Sequence, residues 1–428
     1  MRLGGRLAAA IEVLRDMSRR HRPVADALKD WGLSHRFAGS GDRAAIGNIV
    51  YDALRRRRCA GWLLDDDTPR AHAFGALILE WGMTAAEINE AVEGDRFAPP
   101  PLTPQEMEAA ASRSIADAPA AIRADVPDWC APDLERGFGA AWVDEAAALA
   151  RRPPLDMRVN TLLADRAAAL EELEETAARP SDIAPHGLRI PPTEGGGRHP
   201  NIQVEPVFQK GWIEVQDEGS QVVAELASAR PGMTVLDYCA GAGGKTLAMA
   251  AAMQNQGTIH AFDSDKQRLA PIFDRLRRAQ ATNVDVVARR AALEPLAGSA
   301  DLVMIDAPCT GSGTWRRRPD AKWRLTDKQI RQRCREQAQI LQEASRFVKP
   351  GGRLVYITCS VFDAENREQV EAFTALNPEF RAVDYGRLWA DKFAHAPGRA
   401  AIDAAGIRLT PLSTGTDGFY FAAMQRQE

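Results

Sequence analysis

Cysteine, long apolar runs and surplus positive charge are all scarce in this chain, and each scarcity removes a class of function. Of 428 residues only six are cysteine, Cys59, Cys130, Cys239, Cys309, Cys334 and Cys359. They lack the close pairing of zinc sites or disulfide scaffolds, and no charged-then-apolar leader opens the chain, so a reducing cytoplasm and no metal are expected. No apolar run approaches the ~20 residues that span a bilayer, because a charge, Gly or Pro interrupts each, and no membrane role is expected. Lys and Arg number 54 against 58 Asp and Glu, a formal charge of −4, whereas nucleic-acid binders usually carry a basic footprint. Hydrophobic residues at 45% and charged residues at 26% are ordinary globular usage, and the length suits roughly two to four domains.

The net charge hides local runs. Arg55–Arg58, Arg275-Leu276-Arg277-Arg278, Arg289-Arg290 and Arg316–Arg318 are basic, and Glu171-Glu172-Leu173-Glu174-Glu175 is acidic. Such runs read either as solvated helix faces or as one basic side for a polyanion.

Apolar residues at three- and four-residue spacing, as in Leu7, Ile11 and Leu14 or Ile46, Val50 and Leu54, predict helices through the first part of the chain. Residues 1–140 therefore read as an α-helical accessory domain. A strand at Met157–Thr161, a helix over Ala167–Ala178 and a strand at His186–Ile190 predict a small α/β unit over 141–215. From 216 to 428, short apolar runs alternate with helices, the pattern of a parallel sheet with crossover helices. Strands are predicted at Thr234–Tyr238, Thr258–Phe262, Val284–Val287, Leu302–Ile305 and Arg353–Thr358, with helices starting near Lys245, Lys266, Thr326 and Asp363. A closing hairpin, Gly406–Thr410 with Gly418–Met424, would add antiparallel strands at one edge. The fold class is α/β.

The first strand of that domain breaks into Cys239-Ala240-Gly241-Ala242-Gly243-Gly244-Lys245-Thr246. Glycines between a strand and a helix let a ligand approach backbone N–H groups at the carboxyl edge of an open sheet. The spacing fits neither the dinucleotide nor the phosphate-loop pattern. The next strand ends at Asp263, where an acid suits a ribose diol, although it could instead cap the following helix, a role that Ser264 or Asp265 fits better. Together they indicate an adenosyl ligand.

Two cysteines follow strand ends at that same edge, in Asp306-Ala307-Pro308-Cys309 and in Thr358-Cys359-Ser360. Carbon 5 of a pyrimidine becomes nucleophilic when a thiolate adds to carbon 6, and the carbon 5 proton must then leave before the thiolate can be eliminated. One cysteine can perform the addition and the other assist release. Lys245 or a helix start would lower the thiol pKa, and Asp306 is placed to bond the cytosine ring nitrogen or amino group. The residues alone do not rank the two cysteines.

These words resemble the RsmB-like (Sun/Fmu) family of S-adenosylmethionine-dependent RNA cytosine-5 methyltransferases: Asp237-x-Cys239–Thr246, Asp306–Cys309, and Thr358-Cys359-Ser360 followed by Glu365-Asn366. Arg158–Thr161, Gln216–Gln221, Arg317-Arg318-Pro319-Asp320-x-Lys322-Trp323 and Asp417-Gly418-Phe419 extend the resemblance over about residues 140–428. It implies a Rossmann-like domain, S-adenosylmethionine as cofactor, Cys359 as nucleophile and Cys309 as the aid to release. It also implies cofactor contacts from Cys239 through Lys245, Asp263 and Asp306, with Lys245 reaching the base. Ribosomal RNA is the implied substrate, with transfer RNA, or a non-catalytic role in ribosome assembly, as alternatives; a monomer is expected. Residues 141–215 would be an RRM-like lead-in. Two positions depart from the family: Ala242 where proline is usual, and Ala288-Arg289-Arg290-Ala291 where an acid usually contacts the adenosyl group, leaving Asp285 or Glu294 as candidate substitutes. The amino-terminal helices, through Arg36–Arg43 and Ile49–Arg55, resemble the NusB-like RNA-binding domain of that family, which would turn Arg55–Arg58 toward phosphates; a helical cap without RNA contact is the alternative.

Overall fold

In the computed structural model, which describes residues 1–396 and 398–428, Leu155–Val159 (β1), Arg179–Pro180 (β2), Gly187–Ile190 (β3) and Ile213–Val215 (β4) form an antiparallel sheet in the order β2-β3-β1-β4. Met157, Val159, Leu188, Ile190 and Ile213 bury one face of it. The helix expected over Ala167–Ala178 is shorter, an α-helix at Arg166–Glu171 followed by a 3₁₀ turn at Glu174–Thr176. Glu171, Glu174 and Glu175 would lie three and four residues apart on one helical face, and their repulsion disfavours continuation.

The second sheet contains Thr234–Asp237 (β5), Thr258–Phe262 (β6), Val284–Val287 (β7), Ala300–Asp306 (β8) and Val348–Thr358 (β9), parallel in the order β7-β6-β5-β8-β9. Among the described residues, Phe380–Ala382 (β10), Ala401–Ile402 (β11), Ile407–Leu409 (β12) and Phe419–Arg426 (β13) complete nine strands. β13 runs antiparallel to β9, pairing Phe421 with Ile357, so the predicted hairpin does close that edge. Val303, Met304 and Ile305 of β8 and Leu354 through Ile357 of β9 are fully buried. Strands covered on both faces read as unbroken apolar runs, and each such side chain contributes roughly 1.5–3 kcal/mol by burial.

Predicted and observed strands agree within a few residues. The helix expected near Asp363 instead starts at Arg367, after a 3₁₀ turn over Asp363–Glu365, because Asn366 takes φ −117 and ψ −100 and breaks the spiral. The short β10 and β11 and the helix Tyr385–Phe393 had no expectation.

Two compact units are assembled from separated pieces: Met1–Pro153 with Pro192–His199 and Thr314–Leu325, and Pro154–Pro191 with Pro200–Gly313 and Thr326–Glu428. In the first, the helices Leu3–Arg20, Ser40–Arg55 and Pro69–Trp81 pack Leu7, Leu14, Ile46, Ile49, Phe74 and Leu77 into one core. The Arg55–Arg58 run is engaged in ion pairs inside this unit. Arg55 is buried against Asp52, Arg56 pairs with Asp125 and Glu80, Arg57 with Asp67, and Arg58 with Asp128. No described helix is long and apolar enough to cross a membrane.

Candidate active site

β5 ends at Asp237, and the chain then turns through glycines into the helix Gly244–Ala252. Gly241 and Gly243 have φ of +51 and +83, and a Cβ at Gly243 would lie 2.5 Å from Ile272 Cγ1, so the second position admits glycine alone. Asp263, at the tip of β6, accepts from Gly241 N at 2.9 Å and from Asp265 N at 2.8 Å, while Asp265 caps the helix that follows. Asp263 therefore ties the tips of β5 and β6 together, and the capping alternative belongs to its neighbour. Arg275 donates to the Ala242 carbonyl at 2.7 Å, steadying the turn where alanine stands.

Lys245, on the first turn of that helix, is buried and its Nζ donates to Asp306 Oδ2 at 2.7 Å, at the end of β8. Asp306 keeps about a third of its side chain exposed (35%), so one carboxylate both neutralises the lysine and faces solvent. Lys245 Nζ also lies 5.3 Å from the centre of the Phe419 ring. Asp237 is fully enclosed. Burial, opposed by a hydrogen bond from Thr246, raises its pKa to about 7, and its Oδ1 has no hydrogen-bond partner. Burial and the charges of Asp263, Asp237 and Asp306 push the Cys239 thiol well above its usual value, so it contributes to the loop as a neutral group.

β8 and β9 are neighbours, and the loops that leave them bring Cys309 Sγ within 3.4 Å of Cys359 Sγ, both half-buried. Its hydrogen bond to Cys359, burial, and the negative charges of Cys359 and Glu365 hold the Cys309 thiol well above its usual pKa. The Cys309 loop is fastened from several sides. Gly313 N donates to the Cys359 carbonyl at 2.9 Å, Gln337 Nε2 to the Pro308 carbonyl at 3.0 Å, and Ser312 Oγ lies 3.0 Å from Ser360 Oγ. Glu365 accepts from Thr310 N and Thr310 Oγ1 at 2.9 and 2.6 Å. Thr310, Ser312 and Gln337 carried no sequence expectation as site residues; Glu365 and Phe419 appeared only within motifs.

The candidates for the missing acid after β7 are otherwise occupied. Asp285 lies 3.2 Å from His260 Nδ1, Glu294 pairs with Arg346, and Arg290 pairs with Glu343 at 3.0 Å. Among the described residues, no group of three or more His, Cys, Asp or Glu is placed to hold a metal ion.

A parallel sheet with a glycine turn after β5, an acid at the tip of β6 and an antiparallel edge strand defines a Rossmann-like methyltransferase domain. Residues 224–425 match the family model described as 16S rRNA methyltransferase RsmB/F, and residues 126–193 match the ferredoxin-like domain of RsmF/B-like methyltransferases. The chain is 34% identical over 307 residues to ribosomal RNA small subunit methyltransferase B of Erwinia tasmaniensis, across 70% of this chain and 66% of that relative. It thus spans just under two thirds of the length of that curated relative. The solved structure of a protein called PH0851 superposes over 100% of both chains with a TM-score of 0.73 and 25% identity. A methyltransferase homologue from Pyrococcus horikoshii gives 0.60 and 26%, over 74% of this chain and 99% of that one. The chain belongs to the RsmB/F methyltransferase family.

Proposed function

We propose that this protein methylates carbon 5 of cytosine in RNA, with ribosomal RNA as substrate and S-adenosylmethionine as methyl donor. The observation that carries the reading is the cysteine pair, 3.4 Å apart at the ends of adjacent parallel strands, on the same sheet edge as the Lys245–Asp306 pair. A methyltransferase acting on an amino group has no use for two thiols. The ribosomal substrate rests on the similarity to the ribosomal RNA methyltransferase of Erwinia tasmaniensis.

The residues present fit an adenosyl donor. The glycine turn exposes bare backbone at a helix start, a Cβ added at Gly244 would meet nothing closer than 3.5 Å, and the buried Oδ1 of Asp237 stands without a partner where the turn begins. Cys239 through Lys245, Asp263 and Asp306 would hold the donor. S-adenosylmethionine, when bound, supplies an electrophilic methyl group.

The protein's own groups do the rest. Cys359 adds as thiolate to carbon 6, its charge before addition eased by the Cys309 S–H, which is held protonated at 3.4 Å. Asp306 bonds the ring nitrogen or amino group and Lys245 balances its charge. Once carbon 5 carries the methyl group, its proton passes to solvent, the carbon 5–carbon 6 double bond reforms and the carbon 6–sulfur bond breaks, with the Cys309 S–H assisting by donating to the departing Cys359 sulfur. The base must leave its stack to reach this edge.

Bisulfite mapping of ribosomal and transfer RNA from cells with and without the gene tests the substrate: one cytosine in ribosomal RNA should lose its mark. Cys359→Ser should abolish transfer, and Cys309→Ala should accumulate a covalent protein–RNA adduct on a denaturing gel. Normal turnover by Cys309→Ala without any adduct contradicts the assigned roles.

A further inference from the structure

Among the buried groups that the proposed chemistry leaves unused, Glu365 has the most demanding environment. It is fully buried, and among the described residues no Lys, Arg or His forms an ion pair with it. A desolvated carboxylate is costly unless hydrogen bonds replace its water. Here four donors from three segments do so. Oε1 accepts from Thr310 N at 2.9 Å and Gln337 Nε2 at 3.0 Å, and Oε2 accepts from Thr310 Oγ1 at 2.6 Å and from Ser360 Oγ. Thr310 immediately follows Cys309, and Ser360 immediately follows Cys359. Gln337 in turn donates to the carbonyl of Pro308, on the other side of Cys309.

We propose that Glu365 is a positioning residue for the cysteine pair: one carboxylate grips the residue after each thiol and so fixes the separation of the two sulfurs. This rests on the reading of Cys309 and Cys359 as the reacting pair. A neutral side chain could tie two loops, but a carboxylate also accepts at all four points, which an amide cannot, since its NH₂ would face a donor. The charge has a second effect, because it opposes ionisation of Cys309 and leaves that thiol as the donor toward Cys359.

The test uses full-length Glu365→Gln. Iodoacetamide labelling of Cys309 and Cys359 across pH, resolved by peptide mass spectrometry, reads the thiols without RNA or donor. The Cys309 labelling midpoint should move down, because a charge that opposes its ionisation is gone. In methyl transfer, kcat should fall roughly 100-fold, the scale of a 1 Å misplacement, with KM for RNA and donor within about twofold. A midpoint and kcat both unchanged overturn the proposal, and so does a loss confined to KM. If Glu365→Gln melts, Thr310→Val removes one donor and leaves the carboxylate; kcat should drop roughly tenfold at constant KM, and an unchanged kcat overturns the proposal. A shifted Cys309 midpoint in a protein whose wild type makes no 5-methylcytosine would sink the proposed function and leave the positioning role standing.

Discussion

Two aspartates at neighbouring strand ends sit in opposite surroundings. Asp306 is partly solvated and paired with Lys245, whereas Asp237 is enclosed and its pKa is lifted to about 7 by burial. The unfolded carboxyl titrates near 3.8, so the folded form keeps a proton that the unfolded form has lost over the interval between the two values. Stability from this group is intact below about pH 4 and is lost as pH rises toward 7, by up to about 4 kcal/mol. Asp237→Asn keeps the acceptor for Thr246 and cannot ionise. Its melting temperature should match wild type at pH 4 and exceed it by several degrees at pH 8; calorimetry at both values decides, and equal curves at pH 8 reject the assignment. At this scale the sequence was informative about Lys245, Asp263, Asp306 and both thiols, since each follows a strand that its apolar run announces. It was silent on what Glu365 does, because no spacing tells that a residue in a 3₁₀ turn reaches back to Thr310.

Between elements, the tightest passage lies where the Cys309 loop crosses the start of β13. Gly418 N donates to the Gly313 carbonyl at 2.9 Å, and a Cβ at Gly313 would stand 2.0 Å from the Gly418 oxygen. Backbone, not a flexible tip, is the obstacle, so Gly313→Ala must push the loop that carries Cys309 away from β13. We expect a loss of roughly 1–3 kcal/mol together with a severe fall in methyl transfer. Gly47→Ala is the control: inside the helix Ser40–Arg55, with nothing within 4 Å, it should gain roughly 0.5–1 kcal/mol and leave transfer unchanged. Chemical denaturation and a radiolabelled-methyl assay read both, and a fully active Gly313→Ala removes the argument. The crossing was not legible beforehand. Strand runs show periodicity, but the meeting of two loops 105 residues apart depends on which strands become neighbours.

At the level of the whole molecule, the sequence reading proceeds in consecutive stretches, while the helical unit also recruits Thr314–Leu325 from far along the chain. A twelve-residue segment amid strands and helices of another unit carries no local signal of its destination; it was visible as the basic run Arg316–Arg318 and the Arg-Arg-Pro-Asp-x-Lys-Trp motif. Its contacts are specific. Trp323 Nε1 donates to the Leu54 carbonyl at 2.7 Å, Arg55 Nε to the Arg316 carbonyl at 2.9 Å, and Val24 N to Asp320 Oδ2 at 3.3 Å. Lys322 is also enclosed, with burial lowering its pKa to about 8 in the neighbourhood of Asp125, Arg56 and two buried cysteines. Removing the segment would leave the Nε of a buried arginine, a helix carbonyl and a helix-start amide without these partners, at about 1–3 kcal/mol for each buried group, and would uncover the apolar surface beneath Trp323. A fragment of residues 1–153 should therefore melt well below the helical unit of the intact chain, by ten degrees or more on the order of those losses, and bind a hydrophobic dye. Adding residues 314–325 as a peptide should raise its melting point, and the same peptide with Trp323→Ala should raise it less. Amide exchange in the fragment equal to that of the same helices in the full chain would show that the borrowed segment is dispensable to the fold it completes.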